Sequence, residues 1–377
     1  MYYYAIIMSI MAVYALTISL MNVISMTVMD HRSHKQDKRP KVSVLVPARN
    51  EHDHIEKCVR SLMAQNYPDY EILVLDDKST DDTAAIVERL QKEDSRITLI
   101  HGDPLPEGWK GKNHAIQQML PYATGEYLLL TDADTIHNPG SIRQGVDLII
   151  TYHAKFLSGY PKETSRNAIV GCIIATMALN TMLFVPIPIQ NNIQKRFYAM
   201  AIGQYVMTER KAMIDVGGME TIKNEICDDV SLARLFVSRG YKQLFCDMKR
   251  AVTCQMYTSY WEGFHGIERS LIGAVVPSAK MFYLLLLAVV AIGAICVAPF
   301  VGIVALIVTC SSDALFLTIS SLLFWFAYTI VTVYQGFKFP IPLMGPFCFI
   351  NIIIMFFHGC YRRISGKGFV WRGRKIS

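Results

Sequence analysis

Two long segments that are almost free of charge constrain this chain more than any other feature of its sequence. Met1–Met29 contains no charged residue, and between Met281 and Cys360 only Asp313 and Lys338 are charged. About 20 apolar residues are enough to cross the hydrocarbon core of a bilayer. Roughly 240 residues with ordinary globular patterning lie between the two segments, enough for one large domain or two small ones. The sequence therefore predicts a membrane protein, and it excludes a disordered, collagen-like or disulfide-stapled chain.

Basic residues follow the apolar segments, and their positions predict the orientation in the membrane. One cluster comes after the first segment and another closes the chain: Arg32, Lys35, Lys38, Arg39 and Lys41, then Arg362, Arg363, Lys367, Arg372, Arg374 and Lys375. Basic flanks mark the cytoplasmic side of a membrane. Membrane orientation thus explains the formal net charge of +6 better than nucleic-acid binding does. The first basic cluster follows its apolar segment, which favours an uncleaved anchor over a signal peptide.

These features divide the chain into five parts. We predict an N-terminal transmembrane anchor (1–29), a basic juxtamembrane linker (30–41), a cytoplasmic domain (42–275), a C-terminal membrane region (276–360) and a basic cytoplasmic tail (361–377). The C-terminal region contains three apolar pieces, and three crossings would leave the basic tail outside the cell. Since the third piece, 341–359, is short and Pro340, Pro342, Gly345 and Pro346 lie around its start, we predict that it is interfacial or re-entrant.

Residues 42–131 alternate β-branched and leucine-rich runs with amphipathic segments. The runs predict strands at 42–46, 71–75, 97–100 and 126–131, and the segments predict helices at 54–65, 81–91 and 113–120. Such alternation is typical of a mostly parallel sheet with helices on both faces. Ligands of such sheets bind beyond the carboxyl ends of the strands, so the turns that follow the strands are candidate binding segments.

Acid-bearing turns follow three of the predicted strands. PARNE (47–51) follows the first, DDKSTDDT (76–83) the second and DAD (132–134) the fourth. Because the carboxyl ends of parallel strands share one edge of a sheet, we expect these turns to converge. The second turn alone is also consistent with helix capping, but capping does not explain three acidic turns at matching positions.

The DAD turn predicts a divalent metal. Asp132 and Asp134 flank one small residue after an apolar strand, and in extended geometry both side chains point to the same face. Two adjacent carboxylates repel each other unless a cation lies near them, and Mg²⁺ or Mn²⁺ prefers such hard oxygen ligands. The alternative is a pair of solvated loop acids.

The other two turns predict nucleoside contacts. Asp76 or Asp77 is placed to accept a hydrogen bond from the imide N–H of a uracil ring, and Glu51 is placed to reach the ribose or the base. Neither GxGxxG nor GxxxxGK[ST] lies between the first strand and the first helix, which argues against dinucleotide or P-loop binding.

A second acidic pair opens a predicted helix. Asp228 and Asp229 precede VSLARLFVSRG, whose apolar residues recur with helical spacing. The positive end of the helix dipole stabilises the charged form of a carboxylate at that position. A carboxylate held ionised is suited to act as a general base. The plainer alternative is an acidic helix N-terminus.

Residues 168–189 are also apolar, but a crossing there would separate the two acidic pairs, so we predict a membrane-surface or buried element.

Several cations are suited to neutralising a departing diphosphate. Lys112 lies in the glycine-punctuated loop GWKGKNHA, and Arg269 precedes the C-terminal membrane region. The tail contributes Trp371, Arg372 and Arg374. The alternative for each cation is a solvated or lipid-facing side chain.

The ordered set PARNE, DDxSTDDT, DAD and an acidic pair before LARL resembles the family 2 glycosyltransferases, inverting enzymes of the GT-A fold that use nucleotide-sugar donors. The resemblance covers about Val42 to Tyr241. The N-terminal anchor, the GWKGK loop and the closing W-x-G-R are similar to the membrane-bound branch that glycosylates lipids. The resemblance implies an α/β domain of the Rossmann-like GT-A type, with a mostly parallel sheet and helices on both faces, between an N-terminal transmembrane anchor and C-terminal transmembrane helices.

The resemblance also implies roles for individual residues. It assigns Pro47, Ala48, Glu51 and Asp77 to the nucleoside, Asp132 to the ribose or the metal, Asp134 to the metal and Asp229 to the catalytic base. Asp76, Lys112 and Asp228 join the nucleotide-sugar site, while Arg269, Trp371 and Arg374 are expected near the diphosphate or the acceptor. The pair is Asp-Asp rather than the commoner Glu-Asp, which leaves the role of Asp228 open.

The expected reaction is transfer of a single sugar, expected to be glucose, from a UDP-sugar to a membrane lipid or an isoprenoid such as a carotenoid acid. Mg²⁺ or Mn²⁺ is the expected cofactor. The QxxRW motif of processive synthases is absent, since Trp261 is followed by EGFHGIERS. The alternatives are a processive polysaccharide synthase and a transferase acting on a hopanoid, a diacylglycerol or a ceramide-like lipid. The remaining alternatives are a nucleotidyltransferase and a membrane scaffold protein without catalytic activity.

Overall fold

The computed structural model describes residues 1–30, 36–275, 279–365, 369–371 and 374–376. Four of the basic residues that predicted the orientation lie outside the described residues: Arg32, Lys35, Lys367 and Arg372. The described residues form an α/β domain, preceded in sequence by one N-terminal helix and followed by a group of C-terminal helices.

The helices and strands have the following bounds. The α-helices are α1 (Tyr2–Ser25), α2 (Ile55–Met63), α3 (Thr83–Glu93), α4 (Gly111–Met119), α5 (Ser141–Thr151), α6 (Ala168–Met182), α7 (Ile187–Ile193), α8 (Arg210–Asp215), α9 (Asp228–Ser238), α10 (Tyr260–Val275), α11 (Ala279–Thr309), α12 (Ser312–Tyr334) and α13 (Gly345–Ile364). The strands are β1 (Val42–Ala48), β2 (Tyr70–Asp76), β3 (Ile97–His101), β4 (Tyr127–Leu130), β5 (Thr135–His137), β6 (Phe156–Tyr160), β7 (Lys162–Glu163), β8 (Val206–Glu209), β9 (Gln243–Asp247), β10 (Val252–Cys254), β11 (Phe369–Trp371) and β12 (Arg374–Ile376). Short 3₁₀ helices lie at Arg196–Tyr198, Gly218–Ile222 and Ile341–Leu343.

A seven-stranded mixed sheet with the order β3-β2-β1-β4-β8-β6-β9 forms the centre of the domain. The first four of these strands are parallel, and β8 runs antiparallel to both of its neighbours. Alternate residues of β1 pack into two layers, with Val44 and Val46 on one face and Leu45 on the other. The strands and helices predicted for residues 42–131 are all present, with bounds that agree within two residues. The predicted sheet is confirmed.

A second, three-stranded sheet supports the turn that follows β4. Its order is β5-β10-β7, with β10 antiparallel to β5 and parallel to β7. Cys254 of β10 therefore lies in register between Thr135 and Glu163. This pairing places Glu163, which is distant in sequence, beside the DAD turn.

Four helices within the described ranges are long and apolar enough to cross a membrane, judged by length and composition. They are Tyr2–Ser25, Val289–Thr309, Ser312–Tyr334 and Gly345–Ile364. α1 packs along α12, and α11 packs against α12 and α13. Large apolar side chains remain exposed on these helices, for example Ile7, Val13, Ile307 and Phe326. Such an exposed apolar surface indicates association with a membrane.

The apolar stretch 168–189 does not form a spanning helix. It is interrupted after Met182, and α6 has only 15 residues, about 22 Å at 1.5 Å per residue, against roughly 30 Å of hydrocarbon. α6 packs against α10, α12 and α13. The membrane-surface or buried position of this element remains a prediction.

The third C-terminal piece is longer than the sequence suggested, because α13 continues to Ile364 and has 20 residues. Its length alone therefore does not exclude a crossing. α13 packs along α10, where the Tyr260 hydroxyl donates to Asn351 Oδ1 at 2.8 Å and Gly359 lies against Ile272. The interfacial or re-entrant position of this piece remains a prediction.

The N-terminal helix is attached to the α/β domain by hydrogen bonds. Asp247 at the end of β9 donates its amide to the Thr27 carbonyl, and its own carbonyl accepts from the Met29 amide, both at 2.8 Å. Residue Val28 pairs with Asp247 in a parallel bridge. Asn22 Nδ2 also donates to the carbonyl of Met182 at 2.9 Å. The segment after α1 thus extends the edge of the central sheet.

Candidate active site

The three predicted acidic turns meet at one cavity of about 1320 Å³ at the carboxyl edge of the parallel strands. Ten of the predicted site residues line it: Pro47, Ala48, Glu51, Asp77, Lys112, Asp132, Asp134, Asp228, Asp229 and Arg269. The expectation that residues distant in sequence converge here agrees with the structure. The binding and catalytic roles of these residues remain predictions.

The turns after β1 and β2 are joined by hydrogen bonds. The Glu51 amide donates to Thr83 Oγ1 at 2.9 Å, and the Thr80 amide donates to Asn50 Oδ1 at 2.8 Å. The Asp77 amide donates to the Ala48 carbonyl at 2.8 Å. The Ser and Thr residues of the second turn therefore fix the two loops relative to each other.

The structure separates the two aspartates that the sequence treated as equivalent. Asp77 lines the cavity, whereas Asp76 is not among the residues that line it. Asp76 Oδ1 instead accepts from the Ser79 amide at 3.3 Å, a contact that shapes the turn. Asp76 thus stabilises the turn, and Asp77 is the candidate for a contact with the nucleoside.

The DAD turn is not extended, so the condition under which the sequence placed both carboxylates on one face is not met. β4 ends at Leu130, and the Thr135 amide donates to the Asp132 carbonyl at 3.2 Å, which closes a turn. Ala133 points inward and is buried. Asp132 and Asp134 nevertheless line the same cavity, because the turn rather than a strand directs both carboxylates towards it.

Lys112 joins the two acidic pairs. Its Nζ lies 2.6 Å from Asp132 Oδ1 and 3.5 Å from Asp228 Oδ2. Burial alone would lower the pKa of Lys112, but the carboxylates of Asp132 and Asp228 raise it overall. The charged form of Lys112 is therefore favoured, and its contacts join the acids that follow β4 and those that open α9 in one site.

The charge of Asp229 differs from the sequence-based expectation. Asp229 lies in the first turn of α9, and the Val230 amide donates to its Oδ1 at 2.7 Å. Burial and the neighbouring Asp228 raise its pKa to about 7, although Lys112 and the Val230 amide act in the opposite direction. Desolvation and the neighbouring carboxylates thus outweigh the attraction of Lys112 and the Val230 hydrogen bond. A carboxyl group with a pKa near neutrality is well matched to general base catalysis.

Glu163 is a cavity residue that sequence reasoning missed. Its Oε2 is buried and has no hydrogen-bond partner within the described part of the chain. Burial, together with the negative charges of Asp134 and Asp132, raises its pKa well above the usual range. Glu163 lies in no recognisable motif, and only the pairing of β7 with β10 brings it beside the DAD turn.

Gly203 was missed as well, and it lies against the acid cluster. A Cβ at this position would lie 2.9 Å from Lys112 Nζ, 3.6 Å from Asp132 Oδ2 and 3.7 Å from Asp229 Oδ2. The absence of a side chain at Gly203 leaves room for these three groups. No sequence pattern marks it, because the surrounding segment reads only as an apolar stretch.

We expect Gly203→Ala to lower turnover by about tenfold, because a methyl group would displace Lys112, and small displacements near a reacting centre reduce rates strongly. Initial rates of sugar transfer measure the effect. Gly293→Ala is the matched control, since its added Cβ meets only Ile353 at 3.8 Å. An unchanged rate for the Gly203 variant would show that the acid cluster tolerates the shift.

Two predicted site residues of the basic tail, Trp371 and Arg374, lie on neighbouring strands. They are opposite each other in the antiparallel pair of β11 and β12. The structure gives the course of their backbone, and their contact with a diphosphate or an acceptor remains a prediction. Arg269 of α10, in contrast, lines the cavity.

Comparison with known proteins identifies the class of this domain. Residues 43–216 match the family described as glycosyl transferase family 2. A GalNAc(5)-diNAcBac-PP-undecaprenol beta-1,3-glucosyltransferase of Campylobacter jejuni is 40% identical over 96 residues, which are 25% of this chain and 30% of that protein. The UDP-Glc:alpha-D-GlcNAc-diphosphoundecaprenol beta-1,3-glucosyltransferase WfgD of Escherichia coli is 31% identical over 134 residues, 36% of this chain and 51% of that protein.

A beta-monoglucosyldiacylglycerol synthase of Trichormus variabilis is 36% identical over 106 residues, 28% of this chain and 22% of that protein. The matches to these three curated relatives span about half of their length or less. Among solved structures, a mannosyltransferase of Pyrobaculum calidifontis, PcManGT, has 16% sequence identity and a TM-score of 0.55, and covers 96% of this chain and 99% of that one. The fold is therefore GT-A, and residues 43–216 are similar in sequence to glycosyl transferase family 2.

Proposed function

We propose that the protein is an inverting glycosyltransferase that moves one sugar from a UDP-sugar to a lipid acceptor at the membrane surface. One observation carries this proposal: the cavity that contains the acids is also lined by apolar side chains of helices that pack with the membrane region. These include Ile174 and Met177 of α6, Leu271 of α10, and Phe337 after α12. A single space thus joins a polar donor site to an apolar surface suited to a lipid.

The residues at the polar end of the cavity support the proposed donor. Glu51 and Asp77 lie where a nucleoside would contact the first two strands, and Lys112 and Arg269 supply positive charge for a diphosphate. The E. coli relative is named for a UDP-Glc donor, and the other two relatives are named as glucosyltransferase or glucosyldiacylglycerol synthase. These names support a UDP-sugar, with glucose as the proposed sugar.

The apolar end of the cavity supports the proposed class of acceptor. The named relatives act on undecaprenol-linked and diacylglycerol acceptors, which supports a lipid. Our more specific proposal is a carotenoid acid, as used by 4,4′-diaponeurosporenoate glycosyltransferase. Another membrane lipid is the alternative. The absence of QxxRW favours a single transfer over a processive synthase.

A divalent cation fits the residues of the DAD turn. Asp132 and Asp134 both direct hard oxygen ligands to the cavity, and the unpartnered buried oxygen of Glu163 lies beside them. PcManGT was solved with GDP-Man and Mn²⁺. We propose that Asp132 and Asp134 hold Mg²⁺ or Mn²⁺, which would supply positive charge to a leaving diphosphate.

The remaining steps are assigned to side chains of this chain. Asp229 accepts the proton of an acceptor hydroxyl, or orients an acceptor that is already a carboxylate. The acceptor oxygen then bonds to the anomeric carbon as the bond to the diphosphate breaks, so one displacement inverts the configuration. Lys112 and Arg269 stabilise the charge on the departing group. The apolar wall holds the acceptor near the donor.

We propose that this site faces the cytoplasm, as the basic flanks predict.

Lipid analysis tests the proposed function. Membranes that contain the protein, incubated with radiolabelled UDP-glucose, are expected to form one labelled lipid that carries a single hexose, resolved by thin-layer chromatography and mass spectrometry. Membranes that contain the Asp229→Asn variant are the control for background transfer. Labelled polymer would indicate a processive synthase instead, and absence of any labelled lipid across several UDP-sugars would contradict the proposal.

A further inference from the structure

A cluster of two histidines and a glutamate lies between α10 and α13, and none of the three belongs to the acid cluster of the candidate active site. His265 Nδ1 is 3.1 Å from Glu268 Oε2, and His358 Nδ1 is 2.5 Å from Glu268 Oε1. One ligand atom of each residue lies within 4.8 Å of the other two. The cluster combines two imidazoles and one carboxylate at a helix–helix contact.

The two helices bring these side chains together for simple geometric reasons. His265 and Glu268 are three residues apart on α10 and therefore lie on the same face. His358 comes from the last turns of α13, which packs on that face. Glu268 is fully buried, and a buried carboxylate is costly unless a cation compensates it. The cluster thus needs positive charge, which either an imidazolium or a metal ion provides.

We propose that His265, Glu268 and His358 bind a divalent transition metal of the Zn²⁺ class. Two histidine nitrogens and one glutamate oxygen form a donor set typical of Zn²⁺, whereas Mg²⁺ prefers oxygen ligands alone. Zn–N and Zn–O distances of about 2.0 to 2.2 Å place ligand atoms about 3 to 3.5 Å apart. Small rotations of side chains that already lie within 4.8 Å of one another reach that spacing.

The surroundings of the cluster also suit a metal. The side chains of His265 and His358 are 44% and 40% exposed, which leaves a path for an ion and room for a water ligand. Trp261 stacks on the His265 ring with a centroid separation of 6.1 Å. Phe264 packs edge-on against His358 at 5.7 Å. Both imidazoles are thus packed against aromatic rings.

Metal binding here would join α13 to the helix that carries Arg269. Arg269 follows Glu268 directly and lines the active-site cavity, as does His265. A metal bridging α10 and α13 would hold this wall of the cavity in place. The inference rests on the cluster alone and is independent of the proposed sugar transfer.

The test uses the full-length chain in detergent, stripped of metal and titrated with Zn²⁺ alone. An Asp134→Asn background removes the proposed oxygen-ligand site at the DAD turn, so that only the new site is counted. We expect one Zn²⁺ per chain, measured by elemental analysis after gel filtration, and no displacement by excess Mg²⁺. His265→Ala and His358→Ala should each weaken Zn²⁺ binding at least about tenfold. His153→Asn is the matched control, because His153 is exposed and asparagine tolerates its φ of 51°.

Co²⁺ provides a second readout that does not depend on any histidine variant. Co²⁺ added to the stripped protein is expected to give the intense visible absorption of a four- or five-coordinate nitrogen–oxygen site, and Zn²⁺ should abolish it. The inference is overturned if Co²⁺ keeps the weak spectrum of an aqueous ion. It is also overturned if Zn²⁺ binds equally to the unsubstituted and the two alanine variants, in which case imidazolium charge compensates Glu268.

Discussion

Asp229→Asn lowers the rate of sugar transfer to a hydroxyl acceptor at least about a hundredfold and leaves donor affinity nearly unchanged, which is the expected scale for loss of a general base. The physical reason is the position of the group. Asp229 lies at the start of α9 in the same cavity as Asp132 and Lys112, and burial together with Asp228 raises its pKa to about 7. An amide in its place keeps the shape but accepts no proton.

Two measurements separate catalysis from binding in this variant. Initial rates with labelled UDP-sugar report turnover, and calorimetry with UDP reports donor affinity. Asp215→Asn is the control, because Asp215 is an exposed aspartate that is not among the cavity residues. Full activity in the Asp229 variant would remove this residue from the role of base. An acceptor that is already ionised, such as a carotenoid acid, needs no proton removal, so the loss should be smaller with it than with a hydroxyl lipid.

Asp134→Asn abolishes the dependence of donor binding on metal and lowers the rate of sugar transfer at least about a hundredfold. The reason is that an ion at the leaving diphosphate supplies several kcal/mol of charge stabilisation. Asp132 is paired with Lys112 at 2.6 Å, so its charge is already partly neutralised in the structure. Asp134 lines the same cavity, and Cys254 Sγ donates to its Oδ1 at 3.6 Å. Because Lys112 already neutralises part of the charge of Asp132, we expect the metal to depend strongly on Asp134.

Titration of UDP-sugar with and without Mn²⁺ measures this dependence. The unsubstituted protein should bind its donor more tightly with Mn²⁺, and the Asp134 variant should show no difference. Asp69→Asn is the matched control, since Asp69 is exposed at the opposite, amino end of β2. Donor binding that is indifferent to chelation in the unsubstituted protein would contradict the metal assignment.

The sequence predicted the elements of this fold that depend on local pattern. Alternating apolar runs and amphipathic segments determine strands and helices directly, and the ends of parallel strands necessarily share an edge. The acidic turns at 47–51, 76–83 and 132–134 therefore converge as expected. The spacing of apolar residues after Asp229 also predicted α9 correctly.

Features that depend on long-range packing were not predictable in the same way. Glu163 reaches the site only because a strand of two residues pairs with β10, and Gly203 matters only because Lys112 lies across from it. The raised pKa of Asp229 was not predictable for a related reason. The helix N-terminus is evident from the sequence, but burial of the carboxylate, the first cause of the raised pKa, depends on tertiary packing.

The junction between α1 and the sheet bears on how this protein can be prepared. Residues 27–29 hydrogen-bond to Asp247 at the end of β9, so the peptide that leaves the first helix completes an edge of the central sheet. A shortened recombinant form starting after residue 29 would leave the backbone amide and carbonyl of Asp247 without these partners, and unpaired backbone groups at a sheet edge promote aggregation. Purification of an active sample should therefore retain the first helix and use detergent micelles or nanodiscs from cell lysis onward.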